Sequence, residues 1–416
     1  MRRKLIATLG ALMLSVILAF SGTILEAKAA EVPTAYLELL GKFIFFDTNL
    51  SSPNGQACSS CHLPETGFAD PNRNTPVSQG VIGTRFGDRN APSVAYARYS
   101  PTLHWDPTPT QGNMMQGMYV GGLFWDGRAD SLEDQAKGPP LNILEMNNPD
   151  KESVVNAIRD SQYAFFFKYV FGPTSLDNVE TAFQYMAQAI AAFERSSEVT
   201  PFTSKYDYYL DGKVQLSASE KHGLELFTGN AKCVNCHSMD NPDPARYLGL
   251  KPLFTNFGYQ NIGAPANPEN PYYFLPPELN PLGTNFVDFG LGAHLAAIGD
   301  PNAGVPNASA QKQNGKFKIP SLRNCAITPP YEHNGVFQTL REVVMFNNTR
   351  DVMGAGWPPP EVPQNVHRHM PMVPGFFGML GLTDQEVDDI VAFLGTLTDG
   401  YRLRALPFLP LLLLND

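Results

Sequence analysis

Two short strings, Cys58-Ser59-Ser60-Cys61-His62 and Cys233-Val234-Asn235-Cys236-His237, constrain this chain more than anything else in it. Each is Cys-x-x-Cys-His, whose thiols have the spacing to add to the two vinyl groups of one haem, with the adjacent imidazole under the iron as proximal ligand. A zinc site would need further Cys or His partners for each pair, and none sits at a suitable spacing. The sequence therefore predicts two covalently bound c-type haems, carried by Cys58 and Cys61 and by Cys233 and Cys236, with His62 and His237 on the irons. Haems replace much of a side-chain core. The expected fold is mainly α, two cytochrome c-like haem domains with long irregular loops and little strand, and 36 Pro and 35 Gly fit that expectation.

At 416 residues the chain exceeds one ordinary core, and two widely separated motifs suit two domains. Residues 1–29 read as an export signal: basic Met1-Arg2-Arg3-Lys4, an apolar run from Leu5 to Phe20, then Ala27-Lys28-Ala29-Ala30. That run is short for a bilayer span, so cleavage near Ala29 or Ala30 is expected, giving an exported protein, periplasmic or associated with the cell surface, with no stable membrane span. The pattern of Val179 to Arg195, with Ala182, Met186, Ile190 and Phe193 on one helical face, ends near residue 200. Residues 30–200 are read as the N-terminal domain and 201–416 as the C-terminal one. Helices are expected just before each motif, over Ala35 to Lys42 and over Ser217 to Phe227, the latter with Ser219 as its cap. A last helix starts at the capping box Thr383-Asp384-Gln385-Glu386 and turns Val387, Ile390, Val391 and Leu394 toward the second haem. The proline-rich stretches Pro101 to Thr110 and Trp357 to Pro363 read as insertions, and the apolar tail Pro407 to Leu414 is too short to span a bilayer. A net charge of -10, with no basic run after the signal, excludes a nucleic-acid partner. Cys325, the fifth cysteine, reads as a small buried apolar residue.

A cytochrome that only passes electrons fills both axial positions of each iron, whereas one that reacts with peroxide leaves a face open. No His or Met lies between His62 and Asn90. The first haem is therefore expected to be five-coordinate, with His104, Met114, Met115 and Met118 as remote alternatives.

Further strings run along the chain: Gly41-Lys42-Phe43-Ile44-Phe45-Phe46-Asp47, Arg89-Asn90-Ala91-Pro92, Leu123-Phe124-Trp125-Asp126-Gly127-Arg128 and Asn142-Ile143-Leu144-Glu145-Met146. Phe317-Lys318-Ile319-Pro320-Ser321-Leu322-Arg323-Asn324 and Thr328-Pro329-Pro330-Tyr331-Glu332-His333-Asn334-Gly335 follow. In this order they resemble the bacterial dihaem cytochrome c peroxidase family, including its MauG-like branch, across nearly all of the sequence after the signal. The resemblance implies that the first haem reacts with hydrogen peroxide and the second relays electrons, with Trp125 between them. It implies that Glu145 moves the proton during O–O cleavage, that Gln135 and Pro139 share that iron face, and that Arg323 belongs to the cofactor-binding set. It also implies one calcium ion held by Asn90, Thr328 and Pro330, oxygen donors that suit a hard cation.

Two departures stand out. Classical members carry a distal His in the loop after the first motif, aligned near Ile82, and no His is there. The sixth ligand of the second haem, a Met or Tyr fourteen residues beyond the His of the Tyr-Glu-His-Asn-Gly string, falls here on Asn347. Met345, Asn347, Met353, His367, His369 and Met370 all remain candidates. Three functions are open: a peroxidase fed by a donor cytochrome or copper protein; a MauG-like maturase that oxidises a Trp or Tyr of a partner protein, as in Trp to kynurenine; and a plain dihaem electron carrier. The string Asn348-Thr349-Arg350-Asp351-Val352 is similar to MauG-like relatives associated with copper acquisition.

Overall fold

Helix α1, Thr34–Phe45, delivers the chain to the first motif. Short helices α2, Leu132–Ala136, and α3, Gly138–Leu141, follow later, then α4, Lys151–Asp160, α5, Ala164–Phe171, and α6, Val179–Glu194. Helix α7, Ala218–Thr228, precedes the second motif, with α8, Leu340–Thr349, and α9, Asp384–Gly395, after it. The computed structural model describes residues 33–107, 117–240, 249–368 and 373–403; the expected signal, Met114, Met115, His369, Met370 and the tail from Pro407 lie outside the described residues. No helix among the described residues is long and apolar enough to cross a membrane.

The sequence signals account for most helix starts. Asn178 accepts the Thr181 N–H at 2.9 Å to begin α6, whose Ala182, Met186, Ile190 and Phe193 are all buried. Thr383 and Glu386 form the expected capping box of α9. At α7 the cap is Ser217, not Ser219, because Ser217 has Glu220 three residues on to complete a reciprocal box; Ser219 instead hydrogen-bonds Asp389 of α9. Strand is sparse. β1, His104–Asp106, pairs antiparallel with β2, Met118–Val120, and β3, Tyr259–Gln260, with β4, Phe317–Lys318.

Neither proline-rich stretch is a simple insertion. The first contains β1. In the second, Trp357 packs edge-on to Phe337 and Phe346, and Glu361 accepts from the Asp288 N–H and pairs with His333, so this loop braces the interior.

The two halves repeat one packing device. α1 crosses α6 at Gly41, where a Cβ would lie 1.8 Å from the Ala189 carbonyl oxygen, and α7 crosses α9 at Gly223, where it would lie 1.9 Å from that of Asp389. Below each crossing three phenylalanine rings meet: Phe45, Phe68 and Phe193 at centroid distances of 5.1 to 6.5 Å, and Phe227, Phe254 and Phe393 at 5.3 to 6.1 Å. One buried cluster is drawn from residues 40–199 plus Leu253 and Phe257, the second from residues 206–397. Between them, Arg323 makes a bidentate pair with Asp207, both side chains fully buried, and its guanidinium lies over Tyr96 and Phe202.

Gly223→Ala should therefore destabilise the protein by about 3 kcal/mol, the upper range for overpacking, because the clashing atom is backbone. Gly395→Ala, where a Cβ meets nothing within 4 Å, should be neutral or slightly stabilising. Denaturant midpoints of the two variants measure this contrast.

Candidate active site

Both motifs line one continuous cavity of about 550 Å³, within the usual size of a cofactor site. Cys58–Cys61 forms a single helical turn that ends at His62. The His62 Nδ1–H donates to the Phe68 carbonyl at 3.1 Å, and the His237 Nδ1–H to the Phe254 carbonyl at 3.1 Å. A carbonyl can only accept, so each ring must carry its proton on Nδ1 and keep Nε2 as a free donor pair, the tautomer a metal requires. Burial lowers both imidazoles to about 4, which keeps them neutral. Phe68 and Phe254 reach these positions with φ of 60° and 56°, left-handed values that cost a bulky residue about 1–3 kcal/mol. Paired thiols beside a neutral imidazole, on the wall of one cavity, fit a haem attached at each motif.

Gln135 from α2, Pro139 from α3 and Glu145 from the turn that follows line the same cavity as the first motif. The Asn142 amide donates to Glu145 Oε1 at 3.0 Å. The Glu145 carboxyl faces the cavity rather than bulk water; burial pushes it up to about 7, opposed by Arg128 and aided by Asp88. The loop where a distal His would lie is fastened here, since the Val81 N–H donates to the Glu145 carbonyl at 2.9 Å and a Cβ on Gly80 would sit 2.3 Å from the Leu144 oxygen. His104 is exposed and Met118 packs against Gly258; neither lines the cavity. Met146 does, tied by its backbone to Pro139 and Ser52.

Trp125 lines the same cavity, its indole N–H donating to the Asn90 carbonyl at 2.8 Å. The Asn90 amide in turn faces the carbonyls of Pro76 at 3.2 Å and Pro330 at 3.3 Å, and Thr328 lies nearby on the cavity wall. Arg89 binds Asp288 through two nitrogens at 2.6 and 2.8 Å and Asp126 at 2.7 Å, bracing this region with largely buried charge.

Of the sixth-ligand candidates for the second haem, Asn347 and His367 line the cavity. Asn347 projects from α8 on the same face as Leu340, Val343 and Val344, and its Oδ1 is buried without a hydrogen-bond partner. Met353 is fully exposed and Met345 packs into the C-terminal cluster, so neither faces the cavity; His369 and Met370 are outside the described residues. Arg323 lines the cavity while bound to Asp207, and Cys325 is buried, 7 % exposed.

Residues 36–215 match the family described as di-haem cytochrome c peroxidase. Over 401 residues the chain is 38% identical to methylamine utilization protein MauG of Paracoccus denitrificans, covering 93% of this chain and 94% of that protein. The chain belongs to the di-haem cytochrome c peroxidase family. It is also 31% identical to cytochrome-c peroxidase IdrP1 of a Pseudomonas species, over 74% of this chain and 70% of that one. The diheme peroxidase BthA from Burkholderia thailandensis, as a Y463M variant, superposes with a TM-score of 0.75 at 34% identity over 88% of this chain and 86% of the other.

Several wall residues of this family member escaped sequence reasoning as site residues. Burial pushes Glu194 up to about 8 and Glu332 up to about 7, and brings Lys318 down to about 7 although its Nζ donates to the Gly122 carbonyl at 2.7 Å. Lys318, Glu332 and Arg128 lie within strings that carry the family resemblance but have no role assigned by it, and nothing in the sequence marks Glu194. Asn347→Ala should alter the optical spectrum of the second haem, whereas Met353→Ala should leave both haem spectra unchanged.

Proposed function

We propose that this protein is a di-haem c-type peroxidase in which hydrogen peroxide reacts at the first haem and the second relays electrons from a donor cytochrome or copper protein. The observation that carries it is Glu145, a carboxyl poised near neutral pH in the lining of the cavity that also holds the first motif, in company with Gln135 and Pro139. Haem bound at Cys58, Cys61 and His62 supplies the iron that binds peroxide and the electrons that cleave its O–O bond. Glu145 takes the proton from the near oxygen and returns it to the far one, so that water leaves; a pKa of about 7 lets it do both. Asn142 holds the carboxyl in place through its 3.0 Å hydrogen bond. Gln135 supplies an amide to orient the peroxide, and Pro139 a rigid apolar surface beside it. Trp125 relays electrons between the two haem sites, its indole held by the bond to the Asn90 carbonyl.

A second reading is favoured by the missing distal His near Ile82 and by 38% identity to a MauG. In it the oxidising equivalents leave through a Trp or Tyr of a partner protein. Under either reading the chain is exported to the periplasm or cell surface, and Asn90, Thr328 and Pro330 hold a calcium ion through oxygens, which requires the Asn90 amide to turn so that Oδ1 replaces the Nδ2 that donates to Pro76 and Pro330.

Electron paramagnetic resonance of the oxidised protein should give one high-spin and one low-spin haem. One equivalent of peroxide then separates the readings: a long-lived oxidised state without prior reduction favours the partner-protein substrate, and a need for one added electron favours the classical peroxidase. Two low-spin haems and no reaction with peroxide, reduced or oxidised, would leave only the electron carrier. The carboxylate is the active base, and its raised pKa keeps it protonated below about 7. The peroxide rate constant should therefore rise with pH up to about 7 and level off above it. Glu145→Gln should remove that step and lower the rate by about 10²–10⁴-fold, read by stopped-flow absorbance.

A further inference from the structure

A line of aromatic rings runs from the buried cluster against which Cys58 of the first motif packs to the surface of the N-terminal half. Tyr163 packs, with Cys58, against the same buried cluster, and the Cys58 sulfur is among the groups that influence its phenol. Its ring stacks on Phe43 at 6.3 Å and 13°, Phe43 meets Phe166 at 6.2 Å, and Phe166 meets Tyr36 at 6.1 Å and Tyr169 at 6.2 Å. Tyr36 and Tyr169 also touch each other, at 5.9 Å, and are 41% and 57% exposed. The Tyr163 hydroxyl donates to Asp47 Oδ2 at 2.6 Å, while Asp47 Oδ1 is held by the Asn49 N–H and side-chain amide at 2.9 and 2.8 Å. That carboxylate is thus fixed with one oxygen aimed at the phenol. Burial and the neighbouring carboxylate push the phenol's pKa up, so the ring sits there neutral, with its proton.

We propose that Tyr163, with Asp47 as its proton acceptor, is the entry of an electron-supply route by which the exposed Tyr36 and Tyr169 re-reduce the first haem after oxidation. The inference rests on the reading that peroxide oxidises that haem. In the first step one electron passes from Tyr163 to the oxidised haem, the phenol O–H bond breaks, and the proton moves along the 2.6 Å bond to Asp47, leaving a neutral phenoxyl radical. Tyr163 is restored when Tyr36 or Tyr169 gives up an electron, through Phe43 and Phe166 as packed bridges, and releases its phenol proton to water; Asp47 returns the proton it took. An external one-electron reductant then repairs the surface tyrosine. A protein oxidised without its substrate at hand would discharge by this route instead of damaging its own core.

The test is freeze-quench paramagnetic resonance of the intact two-haem protein after one equivalent of peroxide, beside optical decay of the oxidised state. The wild type should show a tyrosyl radical. Tyr163→Phe, which keeps the ring and its stacking and removes only the hydroxyl, should lower its yield several-fold and lengthen the optical lifetime by a similar factor; Asp47→Asn should act in the same direction. Photochemical oxidation with ruthenium tris-bipyridyl and a sacrificial quencher repeats the experiment without peroxide. A Tyr163-dependent radical under light from a protein inert to peroxide would sustain the route and sink the peroxide reading. Radical yield and lifetime equal in wild type and Tyr163→Phe, with oxidation of the haem evident in both, would overturn the route.

Discussion

Two backbone carbonyls, those of Phe68 and Phe254, hold the imidazoles on which everything else depends. Each is aimed by a residue in the left-handed region, a conformation that a phenylalanine adopts only when its surroundings leave no other. The surroundings are the phenylalanine trios under the helix crossings at Gly41 and Gly223. Burial of the three rings offsets the backbone cost, the ring position sets the carbonyl, and the carbonyl sets the tautomer and direction of the histidine. A defect at the helix crossing is thereby felt at the iron ligand.

Charge is arranged to serve the same cavity. Arg89 with Asp126 and Asp288, and Arg323 with Asp207, are ion pairs removed almost wholly from water, and such pairs add little stability over well-packed apolar residues. Their directionality matters more. Arg89 holds the segment before Asn90, whose carbonyl orients Trp125, and Arg323 joins Asp207 of the second half to Tyr96 and Phe202. Removing one partner would strand a buried charge at the seam between the halves.

The attachment residues were legible because covalent chemistry tolerates only one spacing, and the stripes of α6 and α9 because helical burial has a fixed period. Glu145, Gln135 and Pro139 were legible only through resemblance; by residue type alone a carboxylate and an amide read as surface. The roles of Phe68 and Phe254 were invisible, since a phenylalanine with positive φ has no sequence signal, and the partners of His62 and His237 lie 6 and 17 residues on, with no common offset. The loop from Trp357 to Pro363 looked expendable because proline counts report irregular backbone and say nothing of Glu361 reaching His333. At Asn347 the count along the chain leads to a residue that the structure turns into the cavity with an unmatched oxygen, as it also does His367 into the lining.

Because both halves share the glycine crossing, the ring trio and the carbonyl-held histidine, the two sockets are matched on their proximal sides. The rest of the cavity lining is not repeated: it includes an ionisable carboxyl and an amide, Glu145 and Gln135, from the first half, and Asn347 with Leu340, Val343 and Val344 from the second. The molecule thus carries an internal control: two histidines held in the same way, beside linings that differ. It also separates two tasks along the chain: gripping the histidine, done by a repeated scaffold, and setting its surroundings, done by a few side chains that are not repeated.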